Sequence, residues 1–262
     1  MKSLSVLKKS DISRIKLICF DCDGVTVKRG TEISQKFDQG SNFLKIHTYI
    51  ISEQMRDKIN ELKKYFHVSF SSGRSLSYLQ MMYGEILWEN SSLQGENGIF
   101  ALVDGQVVQH KRYPLTVLEK IEDIRGEIRK LQKTNKDILG FEPKQFLVTV
   151  HCKKEIQEIY NTVHRIDTNN QFYVWWNYEA FDIGLENVNK GFGLRSLAKF
   201  LKIEPSQTMA IGNGINDKDM VEVAGIGVTT DPEVLEADFQ TEGKLHLGGE
   251  ELVDRLLTLV KQ

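Results

Sequence analysis

Short apolar runs alternate with segments of helical spacing through the first and last thirds of the chain. Lys16 to Phe20 is an apolar run that stops at Asp21, as expected of a strand buried on both faces. Ser52 can cap a helix carrying Met55, Ile59, Leu62 and Phe66 on one face. His67 to Phe70 predicts a second buried strand, which makes the segment β-α-β with parallel strands and a right-handed crossover. Ile99–Val103 and Gln106–Gln109, joined by Asp104-Gly105, predict a hairpin. Between Val25 and Ser52 the pattern is weak, and Gly24 to Asn42 is expected to form a hairpin or flap.

The middle third breaks the alternation. A helix is predicted over 116–133, a strand over 145–152, a helix over 154–166 and strands over 171–176 and 180–185. This α-β-α-β-β block is expected to be an inserted α+β domain at 111–186, with the core built from 1–110 and 187–262. The alternation then resumes with a helix at 191–201, a strand at 208–211, a helix at 217–224, a strand at 226–229 and a C-terminal helix carrying Leu252, Leu256, Leu259 and Val260. The fold class expected is α/β: a doubly wound, mostly parallel, Rossmann-like core sheet with an inserted α+β domain.

Composition narrows the function classes. The 262 residues are 40% hydrophobic and 27% charged, as in an ordinary globular protein, and only four prolines occur. A balance of 34 basic against 36 acidic residues gives no bulk charge for nucleic acid. No run approaches the ~18 apolar residues of a membrane span. Met1 to Ile15 lacks the long apolar run of a signal peptide, so a cytoplasmic location is expected. Cys19, Cys22 and Cys152 cannot frame a disulfide scaffold and lack zinc-ligand spacing. Oligomeric state is not readable, so monomer and homo-oligomer both stay open.

The chemistry lies at the carboxyl ends of the predicted strands, where open α/β sheets bind ligands. Asp21-Cys22-Asp23-Gly24-Val25 ends the first strand and Ser72-Gly73-Arg74 the second. Lys190 opens the helix after the insert, and Gly212-Asn213-Gly214-Ile215-Asn216-Asp217 follows a later strand. Such a set suits phosphoryl transfer. Asp21 can attack phosphorus, and Asp23 can protonate the leaving oxygen and later activate water. If the strand stays extended, alternation puts residues 21 and 23 on one side. Lys190, Ser72 and nearby backbone N–H groups can hold phosphate oxygens, and Mg²⁺ would prefer the oxygen-rich Asp cluster. Cys22 has no histidine placed to serve it as a nucleophile. Trp175, Trp176, Tyr178, His151 and Lys153 are candidate substrate contacts on the insert, with core packing the commoner use of such aromatics.

In order, these four segments resemble the motifs of the haloacid dehalogenase (HAD) superfamily, over nearly the whole chain. Glu96-Asn97-Gly98 before a hairpin, an α+β insert between the second and third motifs, and Asn189-Lys190-Gly191 resemble its class IIB branch, which carries a C2-type cap and includes sugar phosphatases. The resemblance implies a Mg²⁺-dependent phosphatase of a small phosphorylated metabolite, a sugar or sugar-acid phosphate. Asp21 and Asp23 would be catalytic, and Ser72, Gly73, Arg74, Lys190 and Asn216 would bind phosphate or substrate. The metal would sit on Asp21, Asp23 through its backbone carbonyl, Asn213 and Asp217. A phosphomutase sharing the aspartyl-phosphate step, or a non-catalytic phosphometabolite-binding protein, are the competing readings. One departure bears on the metal: the last motif is usually Gly-Asp-x-x-Asn-Asp, and here the first Asp is Asn213. The longer stretch after Val25, with Asp38-Gln39-Gly40, faintly resembles capless phosphatases of 3-deoxy-octulosonate 8-phosphate.

Overall fold

The computed structural model of the chain describes residues 1–28, 36–37, 44–45 and 49–262. It divides into two units: Met1–Glu32, Thr48–His110 and Val188–Gln262 form the first, and Ile33–His47 with Lys111–Asn187 the second. The flap expected over Gly24–Asn42 lies partly, and Asp38-Gln39-Gly40 wholly, outside the described residues.

In chain order, the first part runs β1 (Lys2–Ser3), α1 (Lys9–Ile12), β2 (Leu17–Asp21), β3 (Lys36–Phe37), β4 (Leu44–Lys45), α2 (Glu53–Leu62) and β5 (His67–Ser71). Then come α3 (Leu76–Tyr83), β6 (Ser91–Gly95), β7 (Phe100–Val103) and β8 (Gln106–Gln109). The insert continues with α4 (Leu115–Thr134), β9 (Ile138–Phe141), β10 (Val148–Cys152), α5 (Gln157–Ile166), β11 (Phe172–Trp176) and β12 (Ala180–Leu185). The chain closes with α6 (Lys190–Phe200), β13 (Thr208–Gly212), α7 (Lys218–Val223), β14 (Ile226–Thr229), β15 (Phe239–Gln240) and α8 (His246–Lys261).

The first unit is built on a sheet ordered β1-β15-β14-β13-β2-β5-β6-β7-β8 among the described residues. Pairing is parallel from β1 to β6, and β7 and β8 add an antiparallel hairpin at one edge. Side chains alternate across it. Ile18 and Phe20 of β2 join Val68, Phe70, Met209 and Ile211 beneath α2, α3 and α8. Leu17 and Cys19 pack on the opposite face with Leu194 and Leu197 of α6 and Met220 of α7. Asp21 therefore ends β2 on the α6–α7 face, and Cys22 turns into the core beneath α2 and α8. The helix from Ser52 forms as expected, with the Ser52 hydroxyl accepting from the Met55 N–H at 3.2 Å.

Strand β6 has no counterpart in the apolar pattern, and the reason is physical. Its sequence, Ser-Ser-Leu-Gln-Gly, is polar yet fully buried. Its side chains bond sideways to neighbours: Ser92 Oγ meets His67 Nε2 at 3.0 Å, Gln94 Nε2 donates to Ser69 Oγ at 3.0 Å, and Ser91 Oγ donates to the Ile86 carbonyl at 2.8 Å. Buried polar groups are tolerated when paired in this way. Helix α3 is likewise additional.

The second unit has an antiparallel sheet ordered β11-β12-β10-β9, with α4 and α5. The block is therefore α-β-β-α-β-β. The missing strand was β9, whose Gly140 reads as a turn but pairs with His151. Thr149, His151 and Asp182 share one face of this sheet with Glu142 alongside. They form a polar network. Glu142 contacts Lys144 and His151, each at 2.9 Å, while Thr149 bonds to Lys144 at 2.7 Å and to Asp182 at 2.5 Å. His151, a candidate substrate contact, is buried in this network instead. Trp176 packs on Phe181 at 4.9 Å between ring centroids, whereas Trp175 and Tyr178 are exposed.

Burial works against ionised Glu142, but Lys144 and His151 outweigh it and hold the carboxyl well below its ordinary range. The stabilisation from a depressed carboxyl is present above its unfolded-state value and is lost as pH falls toward the folded one. Glu142→Gln is therefore expected to lower the thermal midpoint by several degrees at pH 7. The gap to wild type should begin to narrow below about pH 4.5 and shrink further as the pH falls. A gap that stays constant with pH would show that charge is not what Glu142 contributes.

Candidate active site

Strands β2 and β13 are adjacent in the sheet. From β2 the chain runs on to β5 on one side, and β13 lies on the other. Their carboxyl ends thus flank a point where the winding reverses, and such points open a crevice in doubly wound sheets. Asp21 ends β2, and Gly212 ends β13 just before Asn213. The ends of β5 and α6 bring Ser72-Gly73-Arg74 and Lys190 to the same edge.

At the centre is Lys190. Its ammonium donates to Asp21 Oδ1 and to Asp217 Oδ1, each at 2.5 Å, and all three side chains are buried. Asn189 sets Lys190 in place by capping α6, its Oδ1 accepting from the Phe192 N–H at 2.8 Å. Asp217 is fully engaged. Its second oxygen accepts from the backbone N–H groups of Asn213 and Gly214, at 2.9 and 3.0 Å, and so turns the loop that follows β13. Burial, then the Asp217 charge, pushes the Asp21 carboxyl up to about 7 against the pull of Lys190. Burial opposes the Lys190 charge, but the two carboxylates outweigh it and raise its pKa.

Asp23 does not share this cluster through its side chain. Strand β2 ends at Asp21, and the chain turns: the Val25, Thr26 and Val27 N–H groups all return to the Cys22 carbonyl. The extension needed to put 21 and 23 on one side is absent. The Asp23 carboxylate instead meets the Arg74 guanidinium in a two-point pair, Nε to Oδ2 at 2.8 Å and Nη2 to Oδ1 at 2.9 Å. The guanidinium also lies 4.5 Å from the centroid of the Tyr78 ring. Arg74 is thus the partner of Asp23, a link that no spacing in the sequence announces.

Ser72 accepts from the Arg74 N–H through its hydroxyl at 3.2 Å. The Ser72 and Arg74 carbonyls take the N–H groups of Asn97 and Glu96, at 3.0 and 2.8 Å. Glu96, Asn97 and Gly98 all have left-handed backbones, with φ of 50, 57 and 86°. A Cβ at Gly98 would lie 2.2 Å from the Gly193 Cα on α6, so this loop can approach α6 only as glycine against glycine. Of the phosphate candidates, Asn216 is exposed, with its amide against Gly214. Thiol chemistry has no support here: burial pushes Cys19 up to about 12 and Cys22 well above its ordinary value.

The oxygens at this edge are of the type a hard divalent cation takes: the Asp21 carboxylate, the Asp23 carbonyl and the Asn213 amide. They fit such an ion, with one carboxylate fewer than an aspartate at 213 would give. No group of three or more His, Cys, Asp or Glu side chains able to hold a metal occurs among the described residues.

Removing the Lys190 ammonium would leave two buried carboxylates facing each other. Lys190→Ala is expected to destabilise the chain by about 3–5 kcal/mol at pH 8. The loss should be smaller at pH 5.5, where the raised Asp21 carboxyl takes a proton. A loss independent of pH, read from urea unfolding, would indicate a packing defect alone.

Residues 125–231 match the family described as haloacid dehalogenase-like hydrolase. A phosphoglycolate phosphatase of Methanopyrus kandleri is 25% identical over 169 residues, covering 63% of this chain and 70% of its own. A trehalose-6-phosphate phosphatase related protein superposes with a TM-score of 0.66 at 14% identity, covering 94% of this chain and all of its own. A haloacid dehalogenase-like hydrolase from Bacteroides thetaiotaomicron gives 0.65 at 16% identity, covering 92% of this chain and 99% of its own. Over residues 125–231 the chain is thus similar to the haloacid dehalogenase-like hydrolases, and it shares the fold of solved phosphatases of that kind.

Proposed function

We propose that the chain is a phosphatase of a small phosphorylated metabolite, a sugar or sugar-acid phosphate, working through an aspartyl-phosphate on Asp21. The observation that carries this is the buried Asp21–Lys190–Asp217 trio at the switch point. An aspartate desolvated against an ammonium there has little structural use that an apolar side chain would not serve as well. Relatives named for phosphoglycolate, and a fold neighbour related to a trehalose-6-phosphate phosphatase, agree with a small organic phosphate as substrate.

In this reading Asp21 attacks phosphorus and the alkoxide leaves. Lys190, freed from Asp21 as that carboxylate is consumed, turns its charge toward the phosphoryl oxygens. The Ser72 hydroxyl and nearby N–H groups donate to the same oxygens. Asp23 donates a proton to the leaving oxygen and then takes one from the water that opens the aspartyl-phosphate. For this its carboxyl must leave the Arg74 pair, so Arg74 positions Asp23 between turnovers. Mg²⁺, held by the Asp21 carboxylate, the Asp23 carbonyl and the Asn213 amide, would offset the charge that brings two anions together. Asp217 holds Lys190 and the loop through both its oxygens. The second unit is read as a C2-type cap that sets substrate choice. No helix among the described residues is long and apolar enough to cross a membrane.

Phosphate release from a panel of sugar and sugar-acid phosphates, with and without Mg²⁺, tests the reading. Wild type should turn over one class only with Mg²⁺. Asp21→Asn should abolish release, and Asp23→Asn should lower kcat by about 10²–10⁴-fold. Isomerised sugar phosphate in place of free phosphate would indicate a mutase. Release that survives Asp21→Asn would remove the aspartyl-phosphate.

A further inference from the structure

The side chain of Asn213 lies across the proposed cation site. Its Nδ2 donates to the Asp23 carbonyl at 2.9 Å, and its backbone N–H donates to Asp217. The direction of the amide follows from chemistry: a carbonyl oxygen only accepts, so the NH₂ group must face it. The two groups joined are two of the three oxygen sources proposed for the cation.

A carboxylate at 213 would set oxygen against oxygen, an arrangement that a cation or a water would have to bridge. The amide makes the link with its own hydrogen. The charges point the same way. Lys190, Asp21 and Asp217 carry a net charge of −1, to which the neutral Asn213 adds nothing. An aspartate would double it, and cation affinity at oxygen sites follows ligand charge.

We infer that Asn213 latches the site in its cation-free form, so that a divalent ion binds only by turning the amide over and breaking the bond to Asp23. The inference rests on the cation reading proposed above. Asn213 is thus a positioning residue. Its bond to the Asp23 carbonyl ties cation entry to a side-chain flip that presents Oδ1.

The experiment is a thermal midpoint titration of the full chain, stripped with EDTA and titrated with MgCl₂ at pH 7.5. It compares wild type, Asn213→Asp and Asn213→Ala. Wild type should have the highest cation-free midpoint of the three. Asn213→Asp should start lower, and its midpoint should rise at Mg²⁺ concentrations at least about tenfold below those wild type needs. Equal cation-free midpoints with equal Mg²⁺ dependence would overturn the latch and leave the cation reading standing. No Mg²⁺ response in either wild type or Asn213→Asp would overturn the cation reading, and the latch with it. If Asn213→Asp does not fold, Asn213→Ala decides: it removes the bond without adding charge. A cation-free midpoint no lower than wild type would then overturn the latch.

Discussion

One ammonium holds this edge of the sheet together. Lys190 lies between Asp21 and Asp217, so a single buried cation ties the ends of β2 and β13 to the start of α6. These segments are far apart in sequence, and no side chain of ordinary length could join them without burying charge. Burying charge is costly unless every partner is supplied. Here they are supplied: Asp217 gives one oxygen to Lys190 and the other to two backbone N–H groups. The loop after β13 therefore takes its shape from the same carboxylate that steadies the lysine. The trio carries one negative charge more than positive.

Two further layers depend on that edge. Arg74 holds the Asp23 carboxylate at two points while the Asp23 carbonyl accepts from Asn213, so both polar ends of one residue are fixed by different segments. Behind Arg74, the left-handed run Glu96-Asn97-Gly98 takes the Ser72 and Arg74 carbonyls and rests on Gly193 of α6. The helix that carries Lys190 and the loop that carries Ser72 are thus joined through the backbone of the Glu96-Asn97-Gly98 run. Strain in sparsely populated backbone regions collects at functional sites when surrounding packing can hold it. In the second unit, the Glu142–Lys144–His151–Thr149–Asp182 network follows the same rule: polar groups are buried there because each finds its complement.

The sequence by itself determined the α/β alternation, the interruption by an α+β insert and the residues that meet at the sheet edge. It could do so because buried parallel strands are short apolar runs, and because chemistry in such folds sits where those runs stop. The strand-to-turn break at Asp21 and the cap at Asn189 are local events written in adjacent residues. Strand β6 escaped because its side chains bond to neighbouring strands, which a one-dimensional pattern cannot register. Strand β9 escaped because Gly140 is as good a turn former as a strand residue. Only the tertiary structure decided the pairings: Asp23 with Arg74 rather than with Asp21, His151 with Glu142, Asn213 with the Asp23 carbonyl. Each joins groups whose separation in space is set by the fold, and hydrogen bonds and ion pairs fall off over a few ångströms, a distance that sequence spacing does not measure.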